Sequence, residues 1–366
     1  MGCFGSKEKS RADRYKIDED GASGGDGGGF GNTGALGNTA MGSGGVVTKK
    51  TYDFDTNRPD PKDFTFANLK GETKIREPGT IAGQQFIIDN CEDCHLYLFD
   101  YNATVTIDDC KNCTIFIGPC ETSIFIRDCT NCKCIFMCRQ FRTRGCSDCD
   151  TMLYCCTRPV IETSKKMRFG CMDFHYNGME EQMAAAQLSK FTNYWSYIHD
   201  FTPDPNNWSF LPPSTTAADL MSPAPSATCL VPGGAPDPPP FLLRTWGERP
   251  PPSSETMFVL LHPGSEALAA SICKEVTGEG VTLVHANTVK LDPDVVNQIM
   301  QYAGVQKNKK FVSGFSKGKC FGLEFCAPGC AEIVKKHLPT NNMEESMLCT
   351  DSTQAAGIYK YMGIEG

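Results

Sequence analysis

IDNCEDC (residues 88–94), IDDCKNC (107–113) and IRDCTNC (126–132) repeat one seven-residue phrase. Cys91 to Cys110 and Cys110 to Cys129 are each 19 residues, Cys129 to Cys146 is 17, and a second cysteine follows three residues later at Cys94, Cys113, Cys132 and Cys149. A fixed period near 20 marks stacked repeat units. Each period also holds two short alternating apolar runs, LYLF (96–99) and TVTI (104–107), then IFI (115–117) and SIFI (123–126). Strands this short need neighbours, and stacked coil on coil at about 4.8 Å they make a right-handed parallel β-helix. Identical residues then align in columns, and an inward cysteine column packs as a row of small apolar groups. The spacing Cys91-x2-Cys94-x15-Cys110-x2-Cys113 also fits a four-cysteine zinc site, and paired thiols can form redox couples. Packing is preferred because it also accounts for the strand-like runs between the pairs. On that reading the chain takes no metal and no cofactor.

Aligning the coils on the cysteine that closes each one sets a register. Val105 and Ile107, Ile124 and Ile126, and Phe141 and Thr143 share the inward face, because side chains alternate along a strand. Gln140, Arg142 and Arg144 of CRQFRTRGC (138–146) then point outward together. A solvated charged face is the plain alternative. Two guanidinium groups held at fixed separation on a strand suit phosphate or carboxylate, which arginine grips through a planar fork.

Composition divides the 366 residues into four parts. Residues 21–45 hold twelve glycines in 25 positions, so residues 1–47 are expected to be a flexible tether. Residues 48–201 carry the repeat. From Pro203 to Pro252 there are 14 of the 23 prolines, which reads as an extended linker over 202–255. Residues 256–366 alternate strand and helix signals. Fourteen of the 21 cysteines fall between 91 and 171, with no apolar signal segment ahead of them, so a reducing compartment with free thiols is expected. A net charge of −8 with pI near 5.4 argues against nucleic acid as a partner.

The Gln-Phe-Arg strand, GTIAGQQFIIDNCEDCHLYLFD (79–100), ATVTIDDCKNC (103–113), PVIETS (159–164) and WSYIHDFTP (195–203) resemble the retinitis pigmentosa 2 family, whose β-helix is shared with tubulin-folding cofactor C. The resemblance implies a GTPase-activating protein for a GTP-bound Arf-like small GTPase, with Arg142 as an arginine finger supplied in trans. Gln140 stands beside the finger, Glu162 matches an acidic residue that orients it, and Arg144 and Phe201 belong to the partner-contacting surface. The same resemblance implies ciliary protein trafficking, at the cytoplasmic face of the plasma or ciliary membrane, in the cilium or at the basal body. Tubulin-related or ciliary cargo factors are further partners it implies. The alternative is a cofactor-like scaffold or effector that binds a GTPase without accelerating hydrolysis.

Met1-Gly2-Cys3-Phe4-Gly5-Ser6 fits the myristoylation pattern at Gly2, and Cys3 is a palmitoylation candidate. Lys7, Lys9, Arg11, Arg14 and Lys16 against Glu8 and Asp13 give 5 − 2 = +3, a modest attraction to anionic lipid. The last 110 or so residues read β-α-β-α-β-α and resemble a nucleoside diphosphate kinase domain, an α/β ferredoxin-like sandwich. His262 occupies the place of that family's phosphate-binding lysine, and no His-Gly-Ser segment follows Pro339. Kinase activity is therefore not expected, and His285 and His337 are read as packing or surface residues.

Overall fold

A computed structural model describes residues 60–221, 224–230, 242–306 and 309–339, and the backbone of 347–351. Gly2, Cys3 and the glycine-rich stretch lie outside the described residues.

The repeat region is a solenoid of parallel strands. In chain order these are β1 (Thr65–Ala67), β2 (Thr73–Arg76), β3 (Phe86–Asp89), β4 (His95–Leu98), β5 (Val105–Asp108), β6 (Thr114–Arg127), β7 (Lys133–Arg144), β8 (Asp150–Cys155), β9 (Val160–Glu162), β10 (Met167–Cys171), β11 (His199–Asp200) and β12 (Trp208–Phe210). They stack into two faces. One runs β2, β4, the first half of β6, the first half of β7, β8, β10 and β12; the other runs β1, β3, β5, the second halves of β6 and β7, then β9 and β11. The third side is narrow, a chain of single bridges through Lys70, Glu92, Lys111, Thr130, Ser147 and Lys165. The cysteine pairs flank it.

The two corners beside that narrow side are made, in the cysteine-pair coils, by a residue in the left-handed region directly before a cysteine: Asn90, Asp93, Asp109, Asn112, Asp128, Asn131 and Asp148 at φ of 50° to 55°, with Gly145 at 67°. Asn and Asp tolerate that conformation better than other residues with a side chain. Cys91, Cys110, Cys129 and Cys146 form one buried column, and Cys94, Cys113, Cys132 and Cys149 another. Each thiol donates to the carbonyl two residues back, as Cys129 does to Arg127 (3.2 Å) and Cys113 to Lys111 (3.2 Å). Ser164 ends the first column and accepts from the Cys146 N–H at 3.2 Å, as Cys129 Sγ accepts from Cys110 at 3.4 Å. A third column, Cys120–Cys138–Cys155, lies at the opposite corner. All the described cysteines are free thiols, and among the described residues no group of three or more His, Cys, Asp or Glu is placed to hold a metal.

The predicted register holds: Val105, Ile124 and Phe141 align, as do Ile107, Ile126 and Thr143. The shorter coil loses its two residues at one corner, where the step from Ile117 to Ser123 is matched by the shorter step from Phe136 to Gln140. That corner is also tight, since a Cβ on Gly118 would lie 2.7 Å from the Tyr176 hydroxyl and 2.8 Å from the Asp100 carbonyl.

The face containing β4 and β8 is covered. Its outward Tyr97, Phe99, Phe116, Met137, Met152 and Tyr154 pack under Met179 and Met183 of α1 (Met179–Ala185) and under Leu211, Leu220 and Met221. Those last residues belong to the proline-rich segment read as an extended linker. The described parts of that segment supply β12, the short α2 (Ala217–Leu220), and Arg244 and Arg249, whose contacts close the end of the solenoid. Prolines limit the segment to an edge strand, one short helix and turns, and apolar residues between them do the packing.

The remaining elements are β13 (Thr256–Leu261), α3 (Glu266–Gly278), β14 (Thr282–Lys290), α4 (Pro293–Tyr302), α5 (Lys309–Phe315), β15 (Lys319–Cys326), α6 (Cys330–Lys336) and β16 (Met347–Asp351). The four strands form an antiparallel sheet in the order β14-β15-β13-β16. Compared with the sequence reading, α5 and β16 are additional. Ile272, Cys273 and Val276 of α3 cover one face of the sheet, and Val296, Ile299, Phe311 and Phe315 of α4 and α5 cover the other. Asp292 stands at the N-cap position of α4 without a side-chain capping bond, and Pro293 takes the first helical position.

Candidate functional site

The face of the solenoid that no described residue covers gathers Gln140, Arg142, Arg144, Glu162 and Phe201. Two outward rows run across its coils. One reads Thr106, Phe125, Arg142, Val160 and His199, and the other reads Asp108, Arg127, Arg144 and Glu162. The backbone N–H of Phe201 continues the second row by donating to Ile161 O at 3.0 Å. Parallel strands about 4.8 Å apart thus bring together side chains from residues 106 to 201.

Arg142 and Arg144 are exposed while their strand neighbours Phe141 and Thr143 are buried, so the backbone beneath the guanidinium groups is fixed by the solenoid core. Neither arginine makes a hydrogen bond or ion pair with any described residue. Arg127 differs, because Asp108 takes it as a two-pronged pair at 2.7 Å and 2.7 Å. Gln140 is half-buried and its Oε1 accepts from Ser123 Oγ at 3.2 Å, which fixes the amide so that its NH₂ is directed away from that bond. Glu162 is exposed and aligned with Arg144, whereas Arg142 is aligned with Val160.

Phe201 is 62% exposed, and its ring meets His199 edge-on at 4.7 Å. The loop beneath is well tied: Thr202 Oγ1 accepts from Thr163 N (2.8 Å), and Asn207 Nδ2 donates to Asp200 Oδ2 (2.9 Å) and Thr202 O (2.7 Å). Phe201 is thus a large apolar ring held in water on a braced loop. His199 was not singled out from the sequence. The alternation of His199 and Phe201 after WSYI was the signal that it shares their face.

The other histidines are elsewhere. His262 follows β13, bonds through Nδ1 to Pro263 O (3.0 Å) and packs its ring on Phe315 at 5.3 Å. His337 contacts Glu279 Oε1 at 2.6 Å. His285 sits between Glu324 (2.7 Å) and Glu248 (3.1 Å), beside the Tyr197 ring at 5.8 Å. Burial would lower its pKa, but the two carboxylates outweigh burial and hold it raised.

Residues 83–201, the coils that carry this arginine face, match the family model described as "Tubulin binding cofactor C". The chain belongs to the XRP2 family. It is 42% identical to "Protein XRP2" of Homo sapiens over 293 residues, covering 78% of this chain and 82% of that protein. It is 40% identical to the Gallus gallus protein of that name over 338 residues (91% and 88%), and 39% identical to the Danio rerio one over 347 residues (92% and 90%).

Proposed function

We propose that this protein activates an Arf-like small GTPase by supplying Arg142 to the GTP-loaded partner. The observation that carries the reading is an exposed arginine with no partner among the described residues, standing on a strand whose alternate residues are locked into the core. GTP hydrolysis builds negative charge on the γ-phosphate and bridging oxygens, and a guanidinium delivered in trans stabilises it, worth about 10³–10⁵ in rate. A rigid strand presents the group with little ordering cost. Gln140, braced by Ser123, holds an amide beside it. Phe201 and His199 supply apolar contact at the far edge of the face, and Arg144 with Glu162 lies between. In this reading Glu162 orients the finger indirectly, through Arg144. Membrane attachment through myristate on Gly2 and palmitate on Cys3 places the activator at the plasma or ciliary membrane, where it serves ciliary protein traffic. The last domain is a ferredoxin-like, kinase-derived module without kinase chemistry. Its strand order fits that topology, and a histidine already bonded to Pro263 O stands where the related kinases place a phosphate-binding lysine.

The test is single-turnover GTP hydrolysis by a panel of Arf-like GTPases, alongside binding to their non-hydrolysable GTP complexes. Arg142→Ala is expected to lose about 10³-fold or more of the acceleration while binding weakens far less. Full acceleration by Arg142→Ala overturns the finger. Binding with no acceleration by the unmodified protein favours the scaffold reading.

A further inference from the structure

The antiparallel-sheet domain carries a basic cavity. From residue 295 to 323 there is no aspartate or glutamate but five lysines, Lys307, Lys309, Lys310, Lys317 and Lys319, in a chain whose net charge is −8. A cavity of about 680 Å³ lies between α4 and α5, lined by Asn297 of α4 and by Lys309, Val312, Ser313, Ser316 and Lys317. Positions 309, 312, 313 and 316 are one face of a helical turn pattern, with 317 just past its end, while Phe311 and Phe315 face the core. We propose that this cavity binds a phosphorylated polyol, the chemistry shared by soluble inositol phosphates and phosphoinositide headgroups.

Three observations point to that class. Lys309 and Lys317 are exposed and make no ion pair or hydrogen bond with any described residue, so two ammonium groups stand at the cavity with no counter-charge among the described residues. Asp292 and Asp294 begin α4, and neither lines the cavity. Phosphate is the compact anion that lysine binds as a point charge. Next to the charges lie acceptors suited to hydroxyls: Ser316 Oγ gives its hydrogen to Val312 O (2.9 Å) and Asn297 Nδ2 donates to Pro293 O (2.9 Å), which leaves the Ser316 lone pairs and Asn297 Oδ1 free to accept. Finally, the lining has no aromatic side chain, so a flat purine base has nothing to stack on, which disfavours a nucleotide. The volume is in the range of small-ligand sites, roughly 300–1,000 Å³. The site is separate from His262, which approaches α5 from the side of Gly314.

The experiment uses the full chain made without lipid. It is titrated calorimetrically with inositol trisphosphate and with ADP, and floated with phosphatidylcholine vesicles with or without a few per cent phosphatidylinositol bisphosphate. Inositol trisphosphate is expected to bind more tightly than ADP, and Lys309→Glu/Lys317→Glu to weaken it by at least about tenfold, while Lys274→Glu leaves it unchanged. Capture on the phosphoinositide vesicles, lost in the double variant, assigns the ligand to a lipid headgroup; trisphosphate binding without capture assigns it to a soluble inositol phosphate. Lys309→Gln/Lys317→Gln replaces the charge-reversed pair if that pair fails to fold. No trisphosphate binding at millimolar concentration, equal affinity in the variants, or tighter binding of ADP overturns the proposal.

Discussion

Glu162 stands opposite Arg144 across one coil boundary, while Arg142, two residues along the same strand, stands opposite Val160. On the proposed mechanism, a carboxylate aligned with Arg144 acts on the finger through that arginine. Glu162→Ala is therefore expected to lower GTPase acceleration by roughly tenfold, and to lower it little further in an Arg144→Ala background. Residues sharing one network show such coupling, at about 0.5–3 kcal/mol. Fully additive losses in single-turnover assays would mean that Glu162 touches the partner directly.

The cysteine columns predict a size and polarity pattern. Cys129→Ser is expected to cost about 1 kcal/mol, since Ser164 already ends that column with its hydroxyl bonded to Glu162 O and the Cys146 N–H. Cys129→Leu overpacks the bore, with a cost of about 1–3 kcal/mol. Urea unfolding measures both. Burial pushes the Cys134 and Cys138 thiols up, so they should resist thiol reagents until the protein unfolds. A melting temperature that falls on adding a chelator would restore the zinc reading.

Arg249 closes the end of the solenoid. Its guanidinium lies 4.6 Å from the Trp195 ring centre and 5.4 Å from that of Phe210, and it donates to Leu211 O (3.0 Å) and Trp246 O (3.1 Å). Arg249→Ala is expected to destabilise by about 2 kcal/mol, from the lost cation–π contact and two carbonyl bonds. Arg249→Lys should recover less than half, because an ammonium cannot stack and reach both carbonyls. Unchanged unfolding midpoints would refute the clamp.

His285 predicts a pH dependence. Its pKa is raised against burial by Glu248 and Glu324, with Tyr197 also facing the cluster, and hydrogen bonding to His285 lowers that of Glu248. A raised histidine contributes stability that is full below its unfolded pKa of about 6.5 and is lost as pH rises through the higher folded value. Glu248 contributes above its unfolded value of about 4.3 and loses that as pH falls. The cluster is thus strongest between those two values. Thermal unfolding should show a decline on the alkaline side that His285→Gln flattens; an identical profile in the variant would show the cluster to be neutral.

Anchoring is tested at the other end of the chain. Gly2→Ala should release the protein from cell membranes, and Cys3→Ser should leave weak, reversible attachment, since one acyl chain binds only marginally. Fractionation reads both. A Gly2→Ala protein that stays in the pellet would point to retention by a partner.

The solenoid was legible because its period writes itself into side chains: an Asn or Asp before each cysteine for the corner, a cysteine for the bore, an apolar alternation for the strand. The arginine face followed from that register. The covered face did not. Tyr97, Phe99 and Phe116 read as strand residues of no particular side, and what hides them is α1 and the segment around Leu211, distant in sequence and too rich in proline to carry a period. His199 and the alignment of Glu162 with Arg144 were missed for a related reason, since both depend on which coil lies against which.

The β12 strand sits seven residues beyond Phe201, and the arginine that clamps it, Arg249, comes later still. During synthesis the outward arginine face is therefore complete while the last coil, β10, still has an open strand edge, with its backbone donors and acceptors available to another chain. A chain stopped at Pro205 would keep every residue of the arginine face and leave that edge bare. Premature termination in the proline-rich stretch is then a hazard of self-association before it is a loss of the arginine face, and the prolines flanking β12 help to keep that stretch from becoming a longer, stickier strand.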